Sequence, residues 1–205
     1  MASSKEDFGH DLRLMAEVTT TGNKVGAGKD FWASLVHNER LFSKVVELVI
    51  LGLVYEVEVD YNQSLREMIE AGEYSAQHPD ITQENFPFDA RGEIERQFFL
   101  VRFNQIMSTA DVLESFARHN LRPATMQELL AFGTDRHTDF AHKPLSQPQF
   151  LTIIALGSSW KNTTVGWFPI FVPCFRWCSK DKVMLSLEPF KNSWTHQDRL
   201  LAVRK

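Results

Sequence analysis

The chain has 205 residues, 43% of them apolar, and a formal charge of −4, so it can bury a sizeable core in one domain with an appendage. No overall charge excess points to nucleic acid or a membrane surface, and two cysteines, Cys174 and Cys178, are too few for a disulfide-built secreted domain. The longest apolar stretch, near Val45 to Val54, contains Glu47 and is too short to span a bilayer, and the first residues lack the apolar centre of a signal peptide. A cytoplasmic location with no membrane partner is expected.

Residues 1–28 form a polar tail in which Gly22, Gly26 and Gly28 suit a flexible linker. They do not make a phosphate loop: five residues separate Gly22 from Gly28, and Asp30 follows Lys29 where Ser or Thr is required. Asp30 is a good N-cap for an amphipathic helix over 31–52. Its stripe of Phe31, Leu35, Leu41, Val45, Leu48 and Val49 must bury against the main domain or a second copy, the latter giving a homodimer.

Residues 54–61 alternate strictly, with Tyr55, Val57, Val59 and Tyr61 on one face and acids on the other, which predicts a half-buried strand. Ser64 and Glu67 stand at capping-box spacing for a short helix that Gly72 ends. Residues 73–93 read as a loop-rich connector, 97–104 as a strand and 109–120 as a helix ending at Asn120. Over 121–133, Thr125 and Glu128 form a second capping box, Met126, Leu129 and Leu130 supply the apolar face, and Gly133 closes the helix. A polar loop covers 134–149.

From Leu151 to Lys205, short apolar runs alternate with turn-like pieces, the pattern of antiparallel strands joined by short loops. Trp160, Trp167, Trp177 and Trp194 lie here. From Trp160 onward, eight Lys/Arg stand against three Asp/Glu. A basic, aromatic segment on an acidic body can steer an anionic partner.

The order of elements resembles C-type-lectin-like domains of the bacterial kind. Arg122-Pro123-Ala124-Thr125-x-x-Glu128-Leu129-Leu130 stands where that family opens its second helix with Arg-Leu-Pro-Thr-x-x-Glu-Leu. Gly157-Ser158-Ser159-Trp160 matches its central Ser-Trp segment, and Leu201-Ala202-Val203-Arg204 its closing strand. The branch includes formylglycine-generating-enzyme-like domains and the variable proteins of diversity-generating retroelements. The resemblance covers 93–205. It implies an α+β, C-type-lectin-like fold of short antiparallel strands with two helices; ahead of it, the pattern of residues 29–92 reads as a helix–strand–helix extension following the tail 1–28.

The resemblance further implies a scaffold of Ile153–Trp160, Val183–Leu187 and Leu200–Arg204. A displayed plate would be drawn from Asn162, Trp167, Phe168, Phe175, Trp177, Ser179, Asn192, Trp194 and His196. The expected function is that of a non-enzymatic module docking a protein or other macromolecule on this plate. Aromatics offer rigid contact area there, and small polar groups offer adaptable hydrogen bonds. Membership of the retroelement branch would add codon diversification of the plate.

No cofactor, metal or catalytic residue is expected. A calcium-dependent sugar site lacks its acids, because Gln147-Pro148-Gln149 and Trp160-Lys161-Asn162 stand where lectins carry them. Asp135, His137, Asp139 and His142 are metal-ligand types at no standard spacing. One alternative is a formylglycine-generating-like copper oxidase using Cys174 and Cys178. Four residues apart on an extended strand, they would stand about 13 Å apart unless a turn joins them, and buried thiols are inert. A second alternative is nucleic acid stacked on the basic aromatic terminus, supported by composition alone and opposed by the −4 total.

Overall fold

A computed structural model describes residues 54–88, 90–103, 105–142, 152–163, 169–179, 182–191, 193–195 and 198–205, the side chains of 136–142 and 177–179 excepted. All of them lie in the unit Leu53–Lys205. The tail and the helix expected over 31–52, with its dimer option, fall outside the described residues.

Alternation makes Val54–Asp60 a strand, β1, with Val57 and Val59 buried and Glu56 and Glu58 exposed. Helix α1, Leu65–Ala71, begins at the Ser64 capping box: the Ser64 hydroxyl accepts from the Glu67 N–H at 3.3 Å, and the Glu67 carboxylate accepts from the Ser64 N–H at 2.8 Å. Gly72 ends it with right-handed backbone, φ −79°. A Cβ there would stand 2.4 Å from the Tyr74 ring, so close ring approach, not a left-handed turn, calls for glycine.

The two-residue β2, Ala76–Gln77, precedes β3, Glu93–Val101, which pairs antiparallel with β1 from Val54↔Phe99 to Asp60↔Glu93. Then come β4 (Met107–Ser108) and α2 (Thr109–Arg118), past whose end Asn120 takes φ 56°. They are followed by β5 (Leu121–Pro123) and α3 (Met126–His142). The terminal quarter supplies β6 (Thr152–Ile154), β7 (Trp160–Lys161), β8 (Ile170–Ser179), β9 (Lys182–Pro189), β10 (Ser193–Trp194) and β11 (Asp198–Arg204).

Nine strands join one mixed sheet in the order β1-β3-β11-β6-β8-β9-β2, with β5 added on β11 and β7 on β8. The β11–β6 and β2–β9 pairs are parallel and the remainder antiparallel. Strands β4 and β10 form a separate ribbon. The register puts Phe98, Val203, Leu201, Ile153, Phe175 and Leu185 in one core with Leu65 and Met68 of α1 and Leu129, Leu130 and Phe132 of α3. On the opposite face Phe99, Ala202, Leu200, Ile154 and Cys174 are buried as well. Because the central sheet is covered on both sides, β11 reads as the unbroken apolar run Leu200–Val203.

This arrangement overturns the lectin-like expectation of short strands and two helices. Among the described residues, β3, β8 and β9 run nine, ten and eight residues within one large mixed sheet, and there are three helices. The long strands follow from apolar residues recurring over whole segments, as at Val183, Leu185 and Leu187 in β9. Strand β1 and helix α1, expected in a separate extension, share the sheet and core of the rest.

Gly133 does not close its helix, since α3 runs on to His142 through the stretch expected to be a loop. Its glycine has another cause: a Cβ would stand 2.4 Å from the Phe175 ring and 2.6 Å from the Tyr74 hydroxyl. Two aromatic rings lie against the helix backbone at that point, and a larger residue would displace them.

Candidate functional site

The start of α3 is built by the second capping box. The Glu128 N–H donates to Thr125 Oγ1 at 3.4 Å, and Glu128 Oε2 accepts from the Thr125 N–H at 2.8 Å. Glu128 does more than cap. It is fully buried and receives Arg122 as a bidentate partner, Nη1 to Oε2 at 2.7 Å and Nη2 to Oε1 at 2.5 Å. The Tyr61 hydroxyl, arriving from the end of β1, donates to Oε1 at 2.6 Å.

Burial alone pushes the Glu128 carboxyl up. The bonds from Arg122, Tyr61 and the Thr125 N–H outweigh it and hold the group below the ordinary carboxylate range. Tyr61 moves the other way, raised first by burial and then by its bond to Glu128, so it stays protonated as a donor.

Around this buried pair opens a cleft of about 380 Å³, whose lining includes Tyr61, Phe88, Arg91, Ile94, Arg96, Arg122, Thr125, Glu128 and Ser158. Gly157 brings its rim close. The Gly157 N–H donates to the Ala124 carbonyl at 2.8 Å, and a Cβ would meet that oxygen at 2.6 Å. The approach sets Ser158 Oγ 2.9 Å from the Met126 N–H, satisfying a free donor of the first helical turn.

Arg96 reaches the cleft because β3 alternates. Ile94 and Arg96 lie on the core face with Phe98, opposite Val59 and Val57, while Glu93 and Glu95 lie on the other face, opposite Asp60 and Glu58. One ribbon thus sorts its arginine and these acids to opposite sides. Arg96 is held over the Tyr61 ring, 6.0 Å from its centroid, with Nε donating to the Tyr61 hydroxyl at 3.4 Å. Among the described residues, neither Arg91 nor Arg96 has an ion-pair partner.

The residues expected on a C-terminal plate come out differently. Phe175 and Trp194 are 0% exposed and belong to the interior, so neither is displayed. Asn162 is half-buried, and its N–H donates to the Pro169 carbonyl at 3.0 Å. Trp167, Phe168, Asn192 and His196, and the side chains of Trp177 and Ser179, lie outside the described residues.

Several cations of the terminal segment are engaged within the fold. Arg176 pairs with Glu188, Lys191 bridges Glu188 at 2.7 Å and Asp198 at 3.6 Å, and Arg204 lies 4.7 Å over the Phe99 ring. Charge read from that segment as steering potential is in good part internal pairing.

Cys174 is fully buried, and burial pushes its thiol up to about 12, the reverse of an activated thiolate. Peptide mapping after N-ethylmaleimide treatment of the native protein should find Cys174 unmodified, and modified once the chain is unfolded. Native labelling of Cys174 would show that the sheet opens at β8. Asp135, His137, Asp139 and His142, metal-ligand types at no standard spacing, all fall on α3, and no metal-holding group of acids, cysteines and histidines occurs among the described residues.

The cleft was not predicted. Glu128 was legible only as a cap, and Arg122 only as part of a motif. Their six-residue separation across a strand–helix turn was the available signal. Tyr61, Arg91 and Arg96 carried none, because only pairing of β1 with β3 brings them to the α3 N-terminus. No family model, curated protein or solved structure matches this chain.

Proposed function

We propose that the chain is a binding module, not a catalyst, and that it holds its ligand through a negatively charged group in the arginine-lined cleft. The observation that carries this reading is the pair Arg91 and Arg96, two guanidiniums that line a concave surface without an ion-pair partner among the described residues. Arginine presents planar, forked donors suited to carboxylate, sulfate or phosphate. Glu128 supports binding over catalysis: it is the one carboxylate among the described lining, and four donated hydrogen bonds occupy its oxygens. The charged group belongs to a free molecule or to a macromolecular partner of the kind the sequence led us to expect.

Thermal melting at low ionic strength against carboxylates, sulfates and phosphates tests the reading. A ligand at a hundredfold its Kd stabilises by about 2.7 kcal/mol, or roughly 5–10 °C for a chain of this size. The rise should be seen in the wild type and lost in an Arg91→Gln/Arg96→Gln variant. A wild type unmoved by the whole panel would sink it.

A further inference from the structure

Resting on that reading, we infer that the cleft is built for a phosphate monoester carried on an aromatic body. The charge count comes first. The described lining holds three guanidiniums and one carboxylate, and Arg122 is committed to that carboxylate. Two positive charges remain, on Arg91 and Arg96. A carboxylate or sulfonate would balance one of them, whereas a phosphate monoester, at about −1.5 to −2 near neutral pH, balances both.

The donors agree with the count. Three phosphoryl oxygens need more hydrogen bonds than one guanidinium supplies, and two hydroxyls stand in the lining. Thr125 Oγ1 and Ser158 Oγ each accept a backbone N–H, from Glu128 at 3.4 Å and Met126 at 2.9 Å. Each therefore keeps its own proton to donate. Both lie at the first turn of a 17-residue helix, whose N-terminal partial charge adds to the attraction. The Arg96 guanidinium is already oriented by Tyr61, and Tyr61 by Glu128, so little ordering remains to be done on binding.

Apart from Gln127, the remaining wall is apolar. Phe88 is half-buried and Ile94 is 41% exposed, and both line the cleft. An inorganic anion would leave this wall wet. An aromatic ring beside the phosphoryl group would cover Ile94 and meet Phe88. The same chemistry occurs in a free aryl phosphate and in a phosphorylated tyrosine of a peptide.

Calorimetric titration of the full chain with phenyl phosphate, inorganic phosphate, benzoate and a short tyrosine-phosphorylated peptide decides the matter. Phenyl phosphate should bind at least tenfold more tightly than either inorganic phosphate or benzoate. Arg96→Gln and, separately, the exposed-site Arg91→Gln should each weaken it tenfold or more, Arg91→Gln with unchanged melting. Ile94→Ser should remove the advantage over inorganic phosphate while inorganic phosphate itself binds as before. Tighter binding of the peptide than of phenyl phosphate assigns a protein source, and binding of phenyl phosphate with exclusion of the peptide assigns a small molecule. Benzoate or inorganic phosphate within threefold of phenyl phosphate overturns the inference and leaves a general anion cleft standing. No binding by any of the four overturns the inference, and if the wider panel also leaves melting unmoved the cleft reading falls with it.

Discussion

Glu128→Ala is expected to lower the stability of the Leu53–Lys205 unit by about 3–5 kcal/mol, the usual consequence of removing one partner from a buried ion pair. The size follows from what is left behind. Arg122 keeps a charge in a half-buried position, and the Tyr61 hydroxyl and Thr125 N–H lose their acceptor. Equilibrium denaturation measures the loss. A paired variant, Arg122→Met with Glu128→Leu, should recover much of it, because an apolar pair leaves no unpaired charge. A Glu128→Ala protein within about 0.5 kcal/mol of wild type would mean that the pair is not closed from solvent.

The same carboxylate gives a pH signature. Its folded-state pKa lies below its unfolded value, so its contribution is fully present above the unfolded value of about 4.3. That contribution is lost as pH falls through the lower, folded pKa. The acid limb of the wild-type stability curve should therefore be steeper than that of the Arg122→Met/Glu128→Leu protein. Parallel limbs would show that Glu128 is not part of the acid transition.

Trp194→Ala is the second large effect, also about 3–5 kcal/mol, which is the range for deleting a buried aromatic side chain. Trp194 is 0% exposed, and its indole N–H donates to Thr109 Oγ1 at 3.0 Å. Thr109 in turn donates to the Lys191 carbonyl at 2.6 Å, and Lys191 Nζ lies 5.4 Å over the indole ring. One side chain thus ties the first turn of α2 to the connection between β9 and β10. The melting temperature should drop by roughly 10 °C or more. A displayed binding residue would behave oppositely, leaving the fold intact and losing a partner. Trp194→Phe separates the contributions: it retains most of the buried ring and loses the hydrogen bond, and should recover more than half of the deficit.

A chain of net charge −4 can hold a cationic cleft because charge acts by position and not by total. The acids of the β1–β3 ribbon, Glu58, Asp60, Glu93 and Glu95, stand on the face away from Arg96. In the C-terminal segment, Arg176 and Lys191 meet Glu188 and Asp198. Arg91 and Arg96, which line the cleft, have no ion-pair partner among the described residues.

Read alone, the sequence determined what neighbouring residues decide between themselves. The alternation of 54–61 specifies β1, and the pairs Ser64/Glu67 and Thr125/Glu128 specify two helix starts. Asn120 ends α2, and the apolar runs after 151 specify the terminal strands. Periodicity and capping act over a few residues, so the local sequence contains them in full. Tertiary structure alone decided that β11 lies between β3 and β6, that Phe175 and Trp194 turn inward, and that Gly133 sits in mid-helix beneath two rings. It alone brought Tyr61, Arg91, Arg96 and Arg122 around one cleft. Aromatic and basic side chains serve a core and a binding surface equally well, and which they serve depends on the sheet face each strand turns inward. That face is set by long-range pairing register, which no local window of sequence carries.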